Sequence, residues 1–265
     1  MNIFLRELRS HRGHIVIWSI VVTIFMYISM VKYTALAADA SSSQQLLKAF
    51  PATLQAVFGM TGLGLTTIQG YYGICFIFIS VMLAIHAGML GADVIAKEER
   101  SKTAEFLYVK PRGRRFILSM KLLAGACIAA VLFIVTALAT YGSIAMVNQG
   151  VVPTADLVPF HEALILIQVL FFSIGSCLAA ILAQPKRATM GVASLVFVCY
   201  IAYVLQGLST HFSWLKYITP FGYFNAQDIL AISGIDLSFV MILLIASVVA
   251  ILMSYVRFGT RDLKI

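Results

Sequence analysis

The sequence predicts an all-α polytopic membrane protein with six transmembrane helices, and three observations carry that prediction. Hydrophobic residues fill 61% of the 265 positions and charged residues 11%, against about 25% charged in a soluble domain. Mean hydropathy is +0.95. Six stretches reach the roughly 20 apolar residues a helix needs to cross a hydrocarbon core, where each backbone polar group must be paired internally. The Lys and Arg residues, finally, gather in alternate loops between those stretches, on one side of the membrane.

In chain order, residues 2–12 set Phe4 and Leu8 four apart among Arg6, Arg9 and Arg12, the pattern of a short interfacial helix. The first span covers 15–36, with Lys32 long enough to extend its ammonium to the interface. The arginines, the apolar run and Ala35-Leu36-Ala37 also resemble a secretory signal, but the run exceeds the roughly 7–15 residues of a signal core, so the segment reads as an uncleaved anchor. Residues 41–60 hold Leu46, Leu47, Phe50, Leu54, Val57 and Phe58 at helical spacing, a broken amphipathic cap on the outer face or a linker. The second span is placed at 71–92, because Pro51 and the glycines and threonines up to Gly70 spoil the stretch before it. The remaining spans are 122–147, 163–183, 188–208 and 237–256, all within a single transmembrane domain over 1–265.

Small residues recur every fourth position along span two (Ala84, Gly88, Ala92) and span four (Gly175, Ala179, Ala183), which marks both faces for close helix packing within the chain or with a second subunit. Between spans five and six, residues 209–236 are too apolar for a solvated loop and too broken by Pro220 and Gly222 for a span. A re-entrant or interfacial hairpin fits, with Trp214, Tyr217, Pro220, Phe221, Tyr223 and Phe224 as a candidate outer gate or, more simply, an aromatic interface anchor. The four cysteines stand singly within spans and have no metal-ligand spacing.

With six spans the two termini share a side. That side collects 16 of the 19 Lys and Arg residues, leaving Lys32, Lys48 and Lys216 opposite, and the bias places both termini in the cytoplasm of a cell-membrane protein. The net charge of +8 then faces anionic headgroups, which makes membrane lipid the partner and not nucleic acid.

Chemistry-bearing residues are few. His86 is the one ionisable side chain deep in a span, either a packed neutral histidine or the residue an ion-gradient-driven transporter would need. His161, Glu162 and His211 could all lie near the outer face, but they match no metal-ligand or hydrolase spacing. They define the second alternative, an interfacial membrane enzyme. No phosphate-binding glycine loop occurs, so no nucleotide is bound in that manner.

The densest charge lies in residues 93–121, with eight Lys and Arg and four acids. Glu98 and Lys102 stand at favourable i, i+4 spacing, and Ser101 can cap a short helix with an apolar tip of Ala104, Phe106, Leu107, Tyr108 and Val109 that Pro111 and Gly113 end. Charged shoulders around an apolar tip suit a helix-in-groove contact, and equally a solvated basic loop. Glu99, Thr103, Glu105, Leu107, Pro111, Arg114 and Lys121 stand in the order found in permease subunits of the ABC-2 class of ABC transporters. The 219–224 run Thr-Pro-Phe-Gly-Tyr-Phe and Arg261-Asp262-Leu263 also resemble that family, while Lys102 departs from its more usual glycine.

The resemblance implies two six-helix permeases, identical or different, paired around a translocation path. It implies two ABC ATPase subunits, which bind ATP and Mg while this chain carries no cofactor and no catalytic residue. Each coupling helix would seat in an ATPase cleft, through Glu98, Glu99, Arg100, Thr103, Glu105, Phe106 and Leu107 here. Arg112, Arg114, Arg115 and Lys121 would anchor the start of span three at the membrane surface. The function implied is ATP-driven export of a hydrophobic or amphipathic substrate such as a peptide, antibiotic or lipid.

Overall fold

A computed structural model describes residues 3–39, 41, 45, 49–60, 62–100, 113–182 and 184–260. Six long apolar helices dominate them: α1 (Ile3–Ala38), α3 (Ile68–Arg100), α4 (Arg114–Val147), α5 (Thr154–Ile181), α6 (Pro185–Leu208) and α9 (Leu237–Thr260). Short elements lie between them: α2 (Ala52–Val57), a 3-10 helix (Thr210–Tyr217), α7 (Pro220–Tyr223) and α8 (Ala226–Ile232).

Local signals end these helices. Gln149 and Gly150 take positive φ of 51° and 86° just past α4, a reversal that glycine makes without a Cβ clash. Pro185 opens α6 at its first position, where its missing N–H is harmless. Ser233 closes α8 in the left-handed region.

α3 is buried along most of its length and packs most extensively on α5, while α1 lies chiefly on α4, α9 on α5 and α6 on α3. The α3–α5 contact is backbone against backbone. A Cβ on Gly175 would stand 2.0 Å from the Gly88 carbonyl oxygen, and one on Gly91 would stand 2.2 Å from that of Phe172. The small-residue ridges therefore face each other inside one chain, with the Ser176 hydroxyl donating across to the Gly91 carbonyl at 3.3 Å. Ala183 lies outside the described residues.

Three boundaries depart from expectation. Residues 3–12 form no separate interfacial helix but run straight into α1, because Glu7 and His11 are buried against α3 and α4. α3 continues through Arg100 and α4 starts at Arg114, beyond the expected 92 and 122. Asp93, Lys97, Glu98 and Arg100 of α3 and Lys121 of α4 are all held in ion pairs, so loss of the apolar pattern does not end the helix. Of the outer element, α2 folds onto α6 with the Tyr200 hydroxyl donating to the Val57 carbonyl at 2.7 Å; Leu46 and Leu47 lie outside the described residues.

Replacing Gly175 by Leu puts side-chain atoms where the α3 backbone runs, so α3 and α5 have to separate. The expected cost is at least the roughly 1–3 kcal/mol of core overpacking, read as a lowered thermal unfolding midpoint in detergent; a midpoint equal to that of the parent chain would contradict the close crossing.

Candidate functional site

The site lies at the end of the bundle that carries Ile3 and Thr260, where α1, α3 and α4 meet. Helical spacing stacks Arg6, Glu7 and His11 on α1 against Asp93, Lys97 and Glu98 on α3, and Lys121 of α4 enters between them. Lys121 is fully buried. Its ammonium donates to the Glu98 carboxylate and to the Val94 carbonyl at 2.6 Å, with Glu7 Oε1 at 3.5 Å. Arg6 reaches Glu98 at 2.7 Å and Lys97 reaches Glu7 at 2.9 Å. Beside them Asp93 is held by His11 at 3.1 Å and by Arg100.

Three carboxylates thus sit among four permanent cations and a histidine. A charge left alone in so dry a place costs several kcal/mol, whereas a completed network is tolerated because each member neutralises its neighbours.

Two of the expected site residues lie inside the bundle. Lys121, expected at the headgroups with the arginines, is locked inside the bundle. Glu98, expected to face an ATPase, turns inward and is 3% exposed. Arg114 and Arg115 are exposed at the start of α4, as is Arg100 at the end of α3, with Glu99 half-buried beside it. Thr103, Glu105, Phe106, Leu107 and Arg112 lie outside the described residues. Glu7 and His11 were missed as site residues; the available signal was an acid and a histidine four apart, set among arginines before an apolar span.

Next to the network, His11, His14, Trp18, His86, Asp93 and Arg100 line a cavity of about 120 Å³. His86 packs edge-on against Trp18 at 5.4 Å, and its Nδ1 has no hydrogen-bond partner among the described residues.

At the opposite end the aromatic segment divides. Trp214 and Tyr217 are exposed, whereas Pro220, Phe221, Tyr223 and Phe224 are buried. Phe221 stacks on Phe171 of α5 at 5.9 Å and Tyr223 on Phe239 of α9 at 4.6 Å. The Thr219 hydroxyl donates at 2.8 Å to the carbonyl of Cys199, which lies about 14 Å of helix back from the end of α6 at 1.5 Å per residue.

His161, Glu162 and His211 are not brought together. His161 stacks between Tyr72 and Tyr141, with ring centroids 6.2 Å and 5.1 Å away. Glu162, the next residue on the same helix, is exposed, as is His211.

A family model described as ABC-2 family transporter protein matches residues 1–263. The chain belongs to the ABC-2 family of transporters. No curated protein matches it. As an ABC-2 permease it is the multi-pass membrane component of a transporter, a subunit that is typically non-catalytic and generally works with ATPase subunits. In this permease the ionic network sits at the base of α3, directly before the segment whose motif order first pointed to the family.

Lys121→Met removes the fully buried cation that Glu98 and Glu7 share, leaving Glu98 to Arg6 and Glu7 to Lys97. The expected loss is about 3–5 kcal/mol, seen as a fall in folded permease on size-exclusion chromatography, and Lys121→Met with Glu98→Gln should recover part of it. A double variant no better than the single one would show that the two charges are not coupled.

Proposed function

We propose that this ABC-2 permease is one half of the membrane unit of an ATP-driven exporter for hydrophobic or amphipathic molecules. The observation that carries this reading is the course of α3. It leaves the buried centre of the bundle, passes unbroken through the ion network and ends at Arg100, where the coupling segment begins. A force on residues 101–112 would be delivered to the helix that packs most closely within the domain.

In this mechanism an ATPase subunit, holding ATP and Mg, receives the apolar tip around Phe106 together with Glu99, Arg100, Thr103, Glu105 and Leu107. Glu98 acts indirectly, by fixing the root of the segment to α1 and α4 through Lys121 and Arg6. Closure of two ATPases would rotate two such domains against each other and switch access across the membrane. Both termini and the coupling segment lie in the cytoplasm on the Lys and Arg distribution. The outer end is closed by the dipping aromatic segment, whose buried Phe221 and Phe224 form its inner layer. Arg112, Arg114 and Arg115 hold the start of α4 at the headgroups.

The test is co-purification. Phe106→Asp should leave membrane insertion intact and reduce recovery of the ATPase with the tagged permease by at least about 10-fold, the size of an interface hot spot. Undiminished recovery would remove Phe106 from the contact and with it the coupling assignment.

A further inference from the structure

His11 is 3% exposed on α1, and both of its ring nitrogens meet oxygen. Nδ1 lies 3.0 Å from the Glu7 carbonyl one turn back, and Nε2 lies 3.1 Å from Asp93 Oδ2 on α3. A carbonyl oxygen only accepts, and so does an ionised carboxylate. Asp93 is kept ionised by the Arg100 guanidinium on its other oxygen, Oδ1. Two donors are therefore needed from one ring. A neutral imidazole has one N–H and an imidazolium has two, so this geometry holds a second proton on His11.

His161 gives the contrast. Its Nδ1 donates in the same way to the carbonyl one turn back, that of Leu157 at 2.9 Å, but its Nε2 has no hydrogen-bond partner among the described residues. One ring proton satisfies His161.

The charges nearest the His11 ring are negative. On α1, Glu7 Oε2 stands 3.9 Å from Nδ1, and His14 meets the ring edge-on at 6.2 Å. On α3, Asp93 faces Nε2, while Lys97 is engaged by Glu7 and Arg100 by Asp93. Lys121 of α4 is shared by Glu7 and Glu98, and Arg6 pairs with Glu98. The cavity of about 120 Å³ that His11 lines with His14 and His86 has room for several water molecules. Exposed Arg100 forms part of its wall, so a proton on the ring can exchange with solvent.

We infer that His11 is a proton-binding site that ties the root of α1 to α3, closed when the ring carries two protons and open when it carries one. Histidine is the side chain that ordinarily changes charge between about pH 5 and 8. On losing a proton the ring keeps the bond within its own helix, as His161 does, and turns a lone pair toward the Asp93 carboxylate. The tie is thus present in acid and lost as the pH rises. Asp93 then belongs to Arg100 alone, the last residue of α3 before the coupling segment. The Arg6–Glu98 and Lys97–Glu7 pairs remain, so the root loosens without unfolding. As regulation of the coupling segment, the tie rests on the function proposed above. The proton site is measured on the permease alone, so its failure would leave the Phe106 contact standing.

The test is solid-state nuclear magnetic resonance of the full-length permease in phosphatidylcholine vesicles, with isotope-labelled histidine ring nitrogens and aspartate carboxyl carbons. In acid, the ring missing from His11→Gln should show two protonated nitrogens and a dipolar contact from Nε2 to an aspartate carboxyl. In alkali it should keep the proton on Nδ1 alone and lose that contact. The aspartate contact identifies the ring by itself if His11→Gln does not fold. Asp93→Asn should weaken proton binding at least about 10-fold, the worth of one charge-assisted hydrogen bond, so the ring titrates at lower pH. Arg100→Gln frees Asp93 from its other cation and should tighten proton binding; it serves alone if Asp93→Asn does not fold.

A single ring proton at every pH would overturn the site. Two at every pH, or an aspartate contact that persists in alkali, would overturn the switch. Titration unmoved by either variant would remove Asp93 from it.

Discussion

Burying Lys121 is the constraint on which the end of the bundle that carries Ile3 depends. An ammonium with no exposure to water has to be neutralised by the protein, and here Glu98 comes from one helix and Glu7 from another. The pairing therefore sets the register of three helices at once: sliding any of them by one residue would carry a charge away from its partners. This matters most for α1, whose long middle stretch shows mostly exposed apolar side chains, Ile17, Ile20, Ile24 and Ile28 among them, and only a few buried ones such as Val22, Met26 and Met30. Lipid is as apolar as those isoleucines and gives little preference for one rotation over another. Ion pairs at the helix root supply the preference.

A second constraint acts on the other flank of α3. Where α1 and α4 grip it through charge, α5 grips it through the absence of side chains, with Gly88 and Gly91 set against Gly175 and the Phe172 carbonyl. The two modes differ in what they permit. Close backbone contact has no soft atoms to yield, so α3 and α5 move as one piece; an ionic layer at the edge of the membrane can exchange partners as its surroundings change.

Hydropathy made the six long helices legible, because length and apolarity alone separate spans from loops in a chain with 11% charged residues. The ridges through Gly88 and Gly175 were legible as faces, though not as partners, since four-residue spacing says how closely a helix can be approached and not by what. The burial of Lys121 was not legible for a related reason. A lysine just before an apolar run looks like a headgroup anchor until the acids that claim it are known, and those stand 23 and 114 positions away. The straight run of α1 was hidden in the same way, as the signals of an interfacial helix at residues 2–12 do not reveal that Glu7 and His11 have buried partners.

The spacing of the network along the chain has a consequence during biosynthesis. Glu7 enters the membrane region with the first helix, but its nearest cation, Lys97, emerges 90 residues later and Lys121, which it shares with Glu98, 114 residues later, the latter roughly 6–20 seconds at ordinary translation rates. Over that interval α1 and then α3 carry acids whose final environment does not yet exist, and the nascent helices have to leave them in water at the membrane surface. The bundle can close at the end that carries Ile3 only when α4 arrives, so insertion and tertiary folding are separated in time by the position of Lys121.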